Sequence, residues 1–168
     1  MEDEQLAAGL LARMERDQQV RTEPPDIPAW RAVDADNTTW LESVVYRHGW
    51  PLRSKVGDEA ATAAWLLAQH ADARPDFQRR WLQLLTDAVD HGEADPSHLA
   101  YLTDRVLCAE GRPQRYGTQF RKGPHSTDPL QAQPIDDRDH LDQRRTAVGL
   151  GPFADYERHM LETYGQDS

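Results

Sequence analysis

The stretch Trp65-Leu66-Leu67-Ala68-Gln69-His70-Ala71-Asp72 carries an apolar helix into three polar side chains just before it stops. An imidazole at the end of such a run can act as a general base or acid if a carboxylate orients it. Asp72 and Asp104 are the carboxylates this reading offers to His70. Residues two apart on a helix diverge by about 200°, so His70 and Asp72 share a site only if the helix ends at His70. The blander alternative makes His70 a satisfied core or rim histidine and Asp72 a local acceptor.

Further polar residues sit where apolar ones would be expected. Asp104 and Arg105 interrupt a helical stripe between Leu102 and Val106, where a buried charge must be paired. They form either a brace between helices or part of a site. Gln114, Tyr116, Thr118 and Gln119 surround Gly117 with no aliphatic residue before Phe120. An extended strand would place Gln114, Tyr116 and Thr118 on one side, a row suited to a polar ligand. A loop latch is the competing reading. Arg144 and Arg145 follow four aspartates and read as solvated helix pairs, or as one arginine turned toward an anion. On the catalytic reading His70, Asp72 and Asp104 do the chemistry. Gln69, Arg105, Gln114, Tyr116, Gln119 and Arg145 then bind substrate.

Several chemistries lack their signatures. There is no GxGxxG, P-loop, GxSxG or HExxH. No Glu-x-x-His pair offers a di-iron site. His70-x-Asp72, His125 and Asp139-His140 could meet around a metal but have no specific spacing, so no cofactor is expected and a metal is not favoured. Cys108 is the single cysteine, which excludes an internal disulfide and a CxxC site. It reads as a buried structural thiol.

Helices must position these residues. The spacing predicts a helix over 3–20 with Leu6, Leu10 and Met14 inward and Arg13, Glu15, Arg16 and Asp17 outward. It docks on its own domain or, alternatively, on a second copy. Pro24, Pro25 and Pro28 imply a connector over 22–38. Asp36-Asn37-Thr38-Thr39 then caps a helix over 39–48. Alanines make a helix over 58–73 small-sided and central. Helices over 76–91, 96–109, 136–148 and 152–164 follow. Residues 115–120 could pair with 130–134 in a hairpin, or form an ordered loop. The expected fold is all-α, an irregular bundle of six to seven short helices in one domain over 1–168, with one small hairpin near 115–134. Residues 1–21 form the N-terminal helix and 39–164 the helical core.

Composition narrows the partners. The 168 residues carry a net charge of -10. Such a chain repels phosphate backbones, so no nucleic-acid partner is expected. No apolar run reaches the length of a membrane span, and the start Met1-Glu2-Asp3-Glu4 lacks the basic residues of a signal peptide. A cytoplasmic location is expected.

One resemblance adds to this reading. Trp50-Pro51 with Ser54 and Val56-Gly57, Ala64 through Asp72, Ala100-Tyr101-Leu102 with Asp104-Arg105-Val106, and Gln114 with Tyr116-Gly117-Thr118-Gln119 resemble a family of uncharacterised bacterial proteins common in actinomycetes. Pro134-Ile135-Asp136, Arg144-Arg145 and Val148-Gly149-Leu150 continue the likeness, which covers about residues 35–157. The family is a domain of unknown function, so the resemblance implies one shared site but no reaction, cofactor or substrate.

Three functions follow. The first is a small cofactor-independent enzyme doing hydrolysis, elimination or cyclisation on a small polar or anionic metabolite, with a biosynthetic tailoring role. The second is a binding module, immunity- or adaptor-like, with an acidic surface. The third is a metal-dependent hydrolase using His70 and aspartates.

Overall fold

The computed structural model describes residues 2–21, 26–125 and 128–165. The described chain is mostly helical, with one two-stranded antiparallel sheet, as an all-α bundle with a small hairpin requires. It divides into two compact units, Met1–Leu102 and Thr103–Ser168.

The first unit begins with helix α1, Asp3–Val20. Its buried positions are Leu6, Leu10 and, fully enclosed, Asp17. The expectation that Asp17 faces solvent is corrected here. Position 17 lies seven after Leu10 and eleven after Leu6, so the helical repeat brings it back to the apolar stripe. Helix α2 spans Ile27–His48, far longer than expected. Pro28 opens it rather than preventing it, since a first-turn amide has no helical acceptor to lose. The Asp26 carboxylate caps the start by accepting from the Ala29 amide at 3.0 Å. Asp36-Asn37-Thr38-Thr39 is helix interior, not a cap. Thr38 and Thr39 return their hydroxyls to the carbonyls of Asp34 and Ala35. Residues 27–38 of the expected connector are therefore helix; residues 22–25, with Pro24 and Pro25, lie outside the described residues.

A one-turn helix α3, Arg53–Val56, precedes α4, Asp58–Gln69. Helix α4 is central to this unit and packs on α1, α2, α3 and α5, Pro75–Asp90. Its buried Ala60, Ala61, Ala63, Ala64 and Ala68 let those helices approach closely. Buried Gln78 of α5 then donates to the carbonyls of Ala68 and Gln69, closing the C-terminal end of α4. That stop, four residues earlier than the sequence suggests, places His70 at the C-cap. Helix α6, Pro96–Ala109, carries the chain to the second unit.

In the second unit, strand β1, Phe120–Arg121, pairs with β2, Gln131–Ala132. The expected hairpin is present but shorter, because residues 115–118 turn toward Asp104 instead of pairing. Gln114 forms a separate parallel bridge to Ile135. This bridge keeps 134–136 extended, so the expected helix over 136–148 starts late. A 3-10 turn over Arg138–His140 leads into α7, Leu141–Ala147, and α8 is Phe153–Tyr164. No helix among the described residues is long and apolar enough to cross a membrane.

Gly117 has φ +69°, and a Cβ there would lie 2.7 Å from the Phe153 ring. Gly117→Ala is expected to cost about 2 kcal/mol or more, from left-handed backbone strain plus the clash. Urea unfolding should show it as a lower midpoint with an unchanged slope.

Candidate functional site

The first unit gathers three charged side chains, Asp17, Arg21 and Asp34, around His70. Its Nδ1 lies 2.9 and 3.0 Å from the two carboxylate oxygens of Asp17. Arg21, one residue beyond α1, bonds Asp17 at 3.1 Å and Asp34 of α2 at 2.6 Å through Nη2. Its guanidinium also lies over the Trp30 ring, whose N–H donates to the Val20 carbonyl. Three helix ends or interiors thus converge: α1 supplies Asp17, α2 supplies Asp34, and the end of α4 supplies His70.

Burial alone would raise the Asp17 carboxyl. The His70 hydrogen bond, its charge and Arg21 outweigh that, so Asp17 sits below its ordinary 3.8. Asp34 moves the other way: burial lifts it, and Arg21 only partly offsets that. Two carboxylates beside one imidazole are therefore shifted in opposite directions, Asp17 down and Asp34 up.

His70 also lines a cavity of about 320 Å³ with Arg31, Asp34, Thr38 and Asp72. His70 and Asp72 share this wall because α4 has ended before them. Among the described residues, Nε2 of His70 takes no hydrogen bond. Arg21 Nε also lies 3.3 Å from Nδ1; a neutral ring that donates from Nδ1 to Asp17 leaves Nε2 as an acceptor, the tautomer a general base needs. Arg31 lies exposed on this wall, with no hydrogen bond or ion pair among the described residues.

The depressed Asp17 carboxyl predicts a pH effect. Its stabilisation is fully present above 3.8 and is lost as pH falls through its lower folded value. Asp17→Asn should cost about 3 kcal/mol at pH 7, because it removes a buried partner from His70 and Arg21. Urea unfolding as a function of pH checks this: wild type should lose that stabilisation below pH 3.8, and the variant should lack that step.

One donor atom each of Asp17, Asp34 and His70 lie within 4.8 Å of one another, a spacing a metal could use. Arg21 already supplies the positive charge between the two carboxylates. Arg21→Ser is expected to bind Zn²⁺ roughly tenfold tighter than wild type, seen as a rise in melting temperature on titration.

The remaining residues singled out by sequence lie elsewhere. Gln69 is buried and donates to the Tyr101 carbonyl at 3.5 Å, while its Oε1 has no partner among the described residues. The others form a network in the second unit. Asp104, fully buried, accepts from the amides of Arg115, Tyr116 and Thr118 at 2.7–3.1 Å and from the Thr118 hydroxyl at 2.9 Å. Burial raises its carboxyl, and those donors work against the rise. Arg105 donates to Gln119 at 3.1 Å. Gln114 bonds the backbone of Gln119 and Gln133. Arg145 donates to the carbonyls of Gly151 and Tyr116, and Arg144 to those of Arg115, Asp136 and Asp137. The two arginines thus tie down backbone, with Arg144 also 3.5 Å from the Asp137 carboxylate; of the two readings, solvated helix pairs or one arginine turned toward an anion, Arg145 is the one turned inward, where it meets carbonyls. Cys108 sits beside this network with its thiol pushed up to about 11, chiefly by burial.

The profile that matches this chain spans residues 5–168. The chain belongs to the DUF6624 family, a family of unknown function. No curated protein and no solved structure matches it. The family match corrects the narrower extent of the resemblance, about 35–157, which left out the first helix. That helix holds Asp17 and lies next to Arg21, so the whole His70 cluster falls within the family domain. Sequence reading missed both residues. The available signal was an aspartate at a core position of an amphipathic helix, matched by a histidine at the end of the small-sided helix.

Proposed function

We propose that the chain is a small cofactor-independent enzyme that moves protons on a small polar or anionic metabolite, by hydrolysis, elimination or cyclisation. The observation that carries this reading is His70, bonded through Nδ1 to fully buried Asp17 while its wall of the cavity leaves Nε2 without a protein partner. His70 acts as general base and then acid. Asp17, not Asp72 or Asp104, orients the ring and stabilises the imidazolium. Arg31 holds an anionic group of the substrate, and Asp34 relays or stores a proton at the cavity wall. A cytoplasmic tailoring step on a biosynthetic intermediate suits such a site.

A binding module remains the second reading. It is favoured by the Asp104 network, whose bonds run largely to the protein's own backbone and so resemble bracing. The deciding experiment is a thermal-shift screen of wild type and His70→Ala against a metabolite panel. A compound that stabilises wild type and not the variant, and is turned over by wild type, supports the enzyme. Equal stabilisation of both proteins, with no turnover, overturns it.

A further inference from the structure

A second cavity of about 310 Å³ lies in the first unit, where the C-terminal ends of α2 and α5 meet α3. Its apolar surface comes from Trp50, Leu52, Leu84 and Ala88. Trp50 is only 6% exposed, yet its indole N–H donates to no protein acceptor among the described residues. It is also absent from the polar atoms that are sealed from solvent without a partner. A buried ring at a cavity wall whose N–H has no protein acceptor is a place for a ligand acceptor.

The charged residues of the wall are of both signs. The Lys55 ammonium and the Asp87 carboxylate make no ion pair or hydrogen bond among the described residues. Glu93 is already used, accepting from the Ser54 amide at 2.8 Å. His91 is tied through Nδ1 to the Asp87 carbonyl at 2.7 Å. His48 also lines the wall, and Glu93 keeps its charge and a second oxygen, so the apolar surface is flanked by an ammonium, two carboxylates and the Trp50 N–H, complementary to a ligand carrying both charges on an apolar body. A purely anionic ligand would leave Asp87 unpaired, and a purely cationic one would leave Lys55 and the indole N–H unpaired.

We propose that this cavity binds a free α-amino acid with an apolar side chain. Its carboxylate meets Lys55 and the Trp50 N–H, its ammonium meets Asp87, and its side chain packs on Leu52, Leu84 and Ala88. The site is separate from the His70 cavity and does not depend on the function proposed for it.

The test uses the full chain labelled with 5-fluorotryptophan, with the Trp50 fluorine signal assigned by Trp50→Phe. L-phenylalanine, N-acetyl-L-phenylalanine and L-phenylalaninamide are titrated in turn. L-phenylalanine should shift the Trp50 signal saturably, and each derivative, lacking one charge, should bind roughly tenfold more weakly. Lys55→Met and Asp87→Asn, both at exposed positions, should each weaken L-phenylalanine by a similar factor. His70→Ala should leave it unchanged. A linear, unsaturable shift overturns the proposal, as does equal binding of all three compounds. Undiminished binding by both charge variants overturns it too.

Discussion

Asp104→Ala is expected to destabilise the second unit strongly. The substitution removes the acceptor for three backbone amides and one hydroxyl. Each buried donor left without a partner costs about 1–3 kcal/mol. Some of the 115–118 loop will relax toward water, so a net loss of about 3–5 kcal/mol is expected. Domains of this size are stable by about 5–15 kcal/mol, and the loss is a large part of that. Amide hydrogen exchange checks the effect. Protection over 103–165 should fall by several orders of magnitude, while α1, α2 and α4 keep theirs. Asp104→Asn should lie between the two, since it keeps one oxygen acceptor but turns an NH₂ toward amide donors. Full protection in Asp104→Ala would mean that the loop holds itself, and Asp104 would need another role.

His70→Ala is expected to lower turnover by roughly 10²–10⁴-fold, the usual contribution of a positioned acid–base group. The loss should fall on kcat more than on KM, because the imidazole is asked to act in the transition state. Added imidazole should restore part of the rate to the alanine variant, which leaves a space at the cavity wall. A purely structural histidine would show no such rescue. Asp17→Asn should leave His70 in place but poorly oriented, with a smaller loss and an altered pH profile. If both variants keep full turnover on a confirmed substrate, the cluster is a brace for α1 and the enzyme reading falls.

The sequence determined most of the helices and several of the polar residues that the fold encloses. The 3.6-residue stripes of α1, α5, α6 and α8, the alanines of α4 and the positive-φ glycines at 49 and 111 are local signals, and local signals survive folding. What the sequence left undecided was which polar residues meet. His70 was visible as a candidate, but its partner lies 53 positions away on a helix that reads as a simple amphipathic stripe. Periodicity could rank Asp17 as a core position, yet no spacing rule connects residue 17 to residue 70. The 114–119 segment could be read as a ligand-binding row because strand alternation is a local rule. Only the tertiary structure showed a buried carboxylate at 104 drawing those amides into a loop. The start of α2 also depended on context, since Pro28 can end a helix or begin one, and the Asp26 cap decided it. Burial makes the difference in each case. A charge in water has no required partner, whereas an enclosed Asp17 or Asp104 must find one, and the fold selects which.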